Sequence, residues 1–264
     1  MIEATILGCG SSGGVPRLGG QDGAGAWGIC DPSNPKNRRR RCSLLVRARK
    51  TNILVDTSPD LREQLLMTRV AHLDAVLMTH AHADQTNGID DLRPLVQIIG
   101  KRIDMHGDAT TMEHLMRQFS YCFATPEGSE YPPILNAHVL AEPFAPFQIG
   151  GVMPVHAFWQ SHGGIRSLGY RFGNLAYSSD VNDLDDVAFA VLEGVECWIV
   201  DALRYRLHPT HANVATALSW IAKVKPKRAI LTNLHNDLDY ETLKRELPPG
   251  VEPAYDGMNV SVAD

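Results

Sequence analysis

Residues 73–85 read LDAVLMTHAHADQ, a mostly apolar run that ends in Thr79-His80-Ala81-His82-Ala83-Asp84-Gln85. The run predicts a short buried strand, broken at the polar segment that follows. Three polar side chains therefore emerge together at a strand's C-terminal end. His80 and His82, two apart, project to the same side of an extended backbone. A tight turn after His82 lets Asp84 swing back toward the same point. Imidazole nitrogen with carboxylate oxygen suits Zn²⁺, Mn²⁺ or Fe²⁺. The aspartate at the third position, directly after a strand, separates this segment from an ordinary pair of surface histidines.

A metal site of this kind needs ligands from elsewhere, and later strand ends offer them. Gln160-Ser161-His162-Gly163 precedes the strand-like SLGYRFG, Ala176-Tyr177-Ser178-Ser179-Asp180 ends another, and Leu231-Thr232-Asn233-Leu234-His235 ends a third. The same placement for His162, Asp180 and His235 points to one shared centre.

Around these segments strands and helices mix. A strand is expected at 2–8, a hairpin at 42–48 and 52–56, and a helix opened by Pro59, which suits a first helical turn. Further helices are expected at 90–98, 108–119, 211–224 and 239–247. Further strands are expected at 102–106, 147–158, 167–172, 174–178, 197–202, 228–233 and 259–262. This alternation predicts an α/β or α+β layered fold. No internal repeat or linker divides the chain, so a single domain over residues 1–264 is expected.

Composition narrows the class. The chain has 264 residues, 44% hydrophobic and 21% charged, ordinary values for a globular protein with a sizeable core. A net charge of −5 argues against a general nucleic-acid coat protein. No apolar run approaches a membrane span, and MIEATILGCG lacks the basic and apolar blocks of a signal peptide. Five cysteines without a CxxC pair read as free thiols of a cytoplasmic protein. Eleven histidines, clustered, point to an enzyme.

With THAHAD, HG before SLGY, AYSSD and a late strand-end histidine in this order, the chain resembles the metallo-β-lactamase superfamily of hydrolases. GCGSSGGVP, ICDPSNPKNRRRR and GIDDLRP are similar to the branch containing the phosphoribosyl cyclic phosphodiesterase. The resemblance implies a four-layer αββα sandwich with metals at one edge between strand ends. It implies one metal on His80, His82 and His162, and a second on Asp84, Gln85 and His235, with Asp180 bridging. Gln85 stands where the family usually has histidine, and Asn233 where many relatives have a further one. An amide oxygen is a weak ligand for zinc, so the second site is expected to be weak, to prefer manganese or to be empty. One or two divalent ions, Zn or Mn, are the cofactors expected.

Such a centre can generate hydroxide at neutral pH and stabilise phosphoryl charge. Arg17 and the run Lys36 to Arg41, with Arg38, Arg39 and Arg40, are candidate phosphate binders through bidentate guanidinium contacts. Glycines 8 to 14 allow backbone N–H groups to approach an anion. His208-Pro209-Thr210-His211 opens the helical ANVATALSWI, so His211 is expected at a helix N-terminus, where phosphate oxygens are favoured, and the resemblance implies a histidine here that binds phosphate or protonates the leaving oxygen. His211 fits best, with His208 second; Asp201 is either an orienting carboxylate or a strand-end charge. Early-loop cysteines too few for a structural zinc exclude that site, and His156 reads as structural. The function expected is hydrolysis of a small cyclic or nucleotide-like phosphodiester by a metal-activated hydroxide. The alternatives are a tRNA 3′-processing-type nuclease and a catalytically weak metal- and nucleotide-binding protein. The partner expected is the small phosphodiester or nucleotide, with membrane excluded, nucleic acid disfavoured and a homodimer compatible with the sequence.

Overall fold

The computed structural model describes residues 1–263. Six strands of the N-terminal half, β1 (Ile2–Gly8), β2 (Ser43–Ala48), β3 (Thr51–Val55), β4 (Ala75–Leu77), β5 (Ile103–Gly107) and β6 (Leu135–Val139), belong to one sheet. The next seven form a second: β7 (Phe147–Ile149), β8 (Met153–His162), β9 (Ile165–Phe172), β10 (Leu175–Ser178), β11 (Cys197–Asp201), β12 (Arg228–Thr232) and β13 (Val251–Pro253). The last strand, β14 (Met258–Val262), returns to pair antiparallel with β1. Helices α1 (Leu61–Thr68), α2 (Ala83–Thr86), α3 (Arg93–Ile99), α4 (Ala109–Gln118) and α5 (Ser120–Phe123) interleave with the first sheet. Helices α6 (Asp186–Leu192), α7 (Val214–Val224) and α8 (Tyr240–Glu246) interleave with the second.

Strand alternation builds the layers. Ile53 and Val55 of β3, with Ala75 and Leu77 of β4, enter a central core shared with Tyr170, Tyr177, Ile199 and Ile230 of the second sheet. Their neighbours Leu54 and Val76 face the opposite way, onto Leu61 of α1 and Met112 of α4. On the far side Trp198 and Val200 of β11 pack beneath Ala188 of α6 and Ala217 of α7. A period of two that is apolar on both faces requires cover on both, and the result is the expected αββα sandwich. From the middle of each sheet to one of its edges, strands β3 to β6 and β10 to β13 run parallel. Their C-terminal ends therefore lie along one edge, the usual position of sites in parallel sheets. Among the described residues no helix is long and apolar enough to cross a membrane.

Candidate active site

The chain leaves β4 into Thr79, His80 and His82, while His162 closes β8. His80, His82 and His162 stand with ring centroids 4.5, 5.1 and 5.2 Å apart. Hydrogen bonds set which nitrogen each ring offers. His162 donates from Nδ1 to the Thr210 carbonyl at 2.7 Å, which leaves the Nε2 lone pair free. His80 Nδ1 lies 3.0 Å from Thr79 Oγ1. That hydroxyl donates to Asp56 Oδ2 at 2.9 Å, and the Thr79 N–H donates to Oδ1 at 2.8 Å. With Asp56 ionised, the Thr79 oxygen accepts from His80, whose Nε2 is then the ligand atom. Burial raises the Asp56 carboxyl well above its ordinary range against those Thr79 bonds; a cation nearby favours the charged form.

Burial, with the neighbouring imidazoles, lowers His80 well below the usual histidine range and brings His162 to about 4. Both rings are thus neutral at pH 7, the state in which imidazole binds metal. His80 Nε2 and His82 Nδ1 are 2.9 Å apart. Nitrogens on a tetrahedral zinc, at the usual bond length, sit about 3.3 Å apart, so a slight opening of the triad seats an ion. These three residues fit a divalent cation.

Beside the triad, Asp180 follows β10 with a left-handed φ of 53° and is buried. Its Oδ1 lies 4.0 Å from His162 Nε2 and 4.0 Å from His211 Nε2. His211 donates from Nδ1 to Asp201 Oδ2 at 2.8 Å. Asp201, the last residue of β11, also accepts from the Val181 backbone N–H and from Asn233 Nδ2. Burial alone depresses His211, but the Asp201 bond and charge, with Asp180 and Asp84 behind them, outweigh it and hold the imidazole at about 9. Asp180 is raised to about 8, by burial first and then by Asp84, against the pull of His211. His211 is therefore an imidazolium at neutral pH, aimed at the Asp180 carboxyl group beside the triad.

Several expected site residues stand elsewhere. The helix expected at 211–224 starts later: α7 begins at Val214 with Asn213 as its cap. His211 therefore lies ahead of the helix and owes its charge to Asp201, not to a helix end. His208 is half-buried, its ring 5.1 Å from His211 and its Nδ1 3.2 Å from Thr210 Oγ1. His235 turns away from the triad: Arg17 Nη1 lies 3.0 Å from its Nε2, and its Nδ1 is 2.9 Å from Asp237. Asp84 and Gln85 do sit beside Asp180, with Gln85 Nε2 donating to both carboxylates at 3.2 Å.

The basic run is taken up by the fold. Arg39 is 2% exposed and donates to the His235 and Leu238 carbonyls and to Asn37. Arg40 pairs with Asp256, Arg38 lies over the Trp27 ring, and Lys36 sits over Tyr240. Glycines 8 to 14 likewise serve close approach of backbone. A Cβ at Gly8 would lie 2.0 Å from the Arg41 carbonyl, and the Gly10 N–H donates to Arg40. Of the expected phosphate binders, Arg17 alone remains at the rim of the site.

Two residues that the sequence reading left without a role take part. Asp56 ends the run NILVD, and an acid closing a buried apolar strand was the signal available. Asn233, the first residue after β12, is buried at a φ of 62° and reaches Asp201.

Comparison with known proteins agrees with this architecture. The family described as the beta-lactamase superfamily domain matches residues 51–233, more than half of the chain. A solved structure described as a new diphosphatase from the PhnP family is 33% identical, covering 98% of this chain and 96% of that one, with a TM-score of 0.88. An octanoyltransferase of Porphyromonas gingivalis is 30% identical over 99% of this chain and 52% of its own length. A ribonuclease Z of a Bradyrhizobium species is 28% identical over 53% of this chain and 46% of its own. The chain thus spans about half the length of the curated relatives it matches. With the histidine triad at the strand ends of a two-sheet sandwich and these matches over it, the chain belongs to the metallo-β-lactamase superfamily of metal-dependent hydrolases, in the PhnP family.

Proposed function

We propose that this chain hydrolyses a small cyclic or nucleotide-like phosphodiester. The observation that carries the reading is the His211–Asp201 pair, a charged imidazole whose Nε2 faces Asp180 at 4.0 Å beside the triad. A divalent ion held by His80, His82 and His162 supplies Lewis-acid polarisation of a phosphoryl oxygen and water of lowered pKa; zinc suits three imidazoles, manganese a more oxygen-rich set. Asp180, whose charged form a cation at the triad would favour, orients the attacking water and takes its proton. As the new O–P bond forms and the old one breaks, His211 gives its Nε2 proton to the departing alkoxide, and Asp201 keeps the ring aligned. Such proton donation contributes 10²- to 10⁴-fold.

A cavity of about 400 Å³ opens beside His80 and His82, lined also by Asp108, His114, Trp159 and Arg166. Its size suits a nucleotide-sized ligand, and His114 and Arg166 offer cationic or donor groups to it. The likeness to a diphosphatase over nearly the whole chain supports the same chemical class. A nuclease reading draws on the partial match to ribonuclease Z; the engagement of the basic run within the protein, with Arg39 buried, Arg40 and Arg41 paired with Asp256 and Asp60 and Arg38 over Trp27, argues for the small substrate. The five free, buried cysteines fit a cytoplasmic setting.

The test compares His211→Ala with the parent on two phosphodiesters. With an alkyl leaving group the variant is expected to lose at least about tenfold in kcat at unchanged metal content. With an aryl leaving group of low pKa the loss is expected to be smaller, since that oxygen departs without a proton. Equal losses on both would assign His211 to binding, and no turnover by the parent of either would sink the phosphodiesterase reading.

A further inference from the structure

The two positions that the superfamily resemblance assigns to metal are unequal in this chain. At the first, His80, His82 and His162 converge, with Asp180 4.0 Å from His162. Among the described residues, two groups of at least three ligating side chains bring their donor atoms within 4.8 Å of one another: His80, His82 and His162, and His162, Asp180 and His211. Asp84 and His235 belong to neither.

The second position lacks an imidazole. His235 is the one the sequence offers, and both of its nitrogens are engaged. A guanidinium only donates, so Nε2 accepts from Arg17 at 3.0 Å, and Nδ1 carries the proton and donates to Asp237 at 2.9 Å. The residue that the left-handed turn after β12 directs toward the site is Asn233, whose Nδ2 lies 3.3 Å from Asp201 Oδ2 and 3.2 Å from His211 Nδ1. Between Asp84 and Asp180, Gln85 presents its amide nitrogen to both carboxylates at 3.2 Å. Its Oε1 is buried without a partner. Two facing carboxylates need a donor or a cation between them, and here an amide N–H₂ holds that place.

We propose that this centre binds a single divalent ion tightly, at His80, His82 and His162, and that the Gln85 amide bridges Asp84 and Asp180 where a second ion would otherwise sit. Gln85 and Asn233 are the residues that exclude the second ion. This metal stoichiometry is independent of the substrate.

The test is a titration of chelator-treated protein with Co²⁺, followed by its visible d–d absorption and by calorimetry. The parent is expected to saturate at one equivalent, with any second event at least about 100-fold weaker. The Gln85→His/Asn233→His variant is expected to saturate at two. Should that variant not fold, Gln85→Glu keeps the shape and replaces the bridging donor with a third carboxylate; it is expected to take up a second Mn²⁺. Two equivalents of similar affinity in the parent would overturn the proposal. A folded variant that still stops at one would refute the role of the two amides. Neither result depends on turnover, so the phosphodiesterase reading fails or survives separately.

Discussion

Asp201 and His211 meet through one 2.8 Å hydrogen bond, and the charge of one sets the proton affinity of the other. Asp201→Asn keeps the shape but removes the charge that holds His211 at about 9. The acid form of His211 is present below that value and is lost as pH rises through it. Hydrolysis of an alkyl phosphodiester by the parent should therefore fall on an alkaline limb no higher than about 9, since a bound cation lowers it further. In Asp201→Asn the limb should move to lower pH and kcat should drop at least about tenfold at neutral pH, with metal content unchanged. A pH–rate profile that stays in place would mean that Asp201 serves the fold alone. His80→Ala removes one of three converging imidazoles, so the purified variant should lose its metal while its circular dichroism stays that of the parent. Retention of the ion would refute the ligand assignment.

At the scale of elements, two contacts decide stability. Arg39 ties the early loop to the β12–α8 connection through the His235 and Leu238 carbonyls at 3.0 and 2.7 Å. Arg39→Ala removes both charged donations, at about 1.5–3 kcal/mol each, and leaves the His235 carbonyl with the Leu238 N–H at 3.2 Å and the Leu238 carbonyl with the weak Cys30 thiol at 3.5 Å. Urea unfolding should show a loss of at least about 2 kcal/mol; a change confined to KM would restore the substrate-binding role expected from sequence. On β5, His106 stacks on His138 at 4.7 Å, and burial with the His138 charge lowers it to about 4 despite Asp104. Its folded pKa lies below its unfolded value, so its contribution is fully present above about 6.5 and fades as pH falls toward about 4. His106→Phe should flatten the dependence of the urea midpoint on pH across that window, and an unchanged slope would exclude it. The elements themselves were legible where period and cap agreed, as in β3, β4, α4 and α8, whose caps Asp108 and Asp239 accept from the first turn. β6 was missed because three of its five residues are exposed at a sheet edge and show no alternation. α6 was missed although Asp185 caps it, because DVAFAVL reads as an unbroken apolar run.

For the whole molecule, the order of strand-end residues made the sandwich and the triad readable before any coordinates. The aim of side chains beyond the strand ends was not readable. Asp56, Asp180 and Asn233 all sit at positive φ, a conformation that asparagine and aspartate tolerate and that reverses where a side chain points. Period-two reasoning stops at such a residue, which is why His235 looked like a ligand and Asn233 did not. The same limit hid the fate of the arginines, because a run of charges does not disclose which members are buried. Their engagement within the protein leads to a last prediction. A nuclease neutralises many phosphates and releases their counterions, so its log–log salt slope is steep; six to ten contacts lose about 10³- to 10⁵-fold between 50 and 200 mM salt. Here Arg38 lies over an indole ring, Arg39 is buried and Arg40 is paired with Asp256, while the whole chain carries a net charge of −5. With Arg17 left at the rim, the site can engage about one substrate phosphate through this loop. The kcat/KM for a small phosphodiester should then fall no more than about fourfold over the same salt range, the effect of a slope near −0.9. Precursor tRNA cleaved faster than the small diester, with a slope of −5 or steeper, would overturn the small-substrate reading and make the molecule a nuclease.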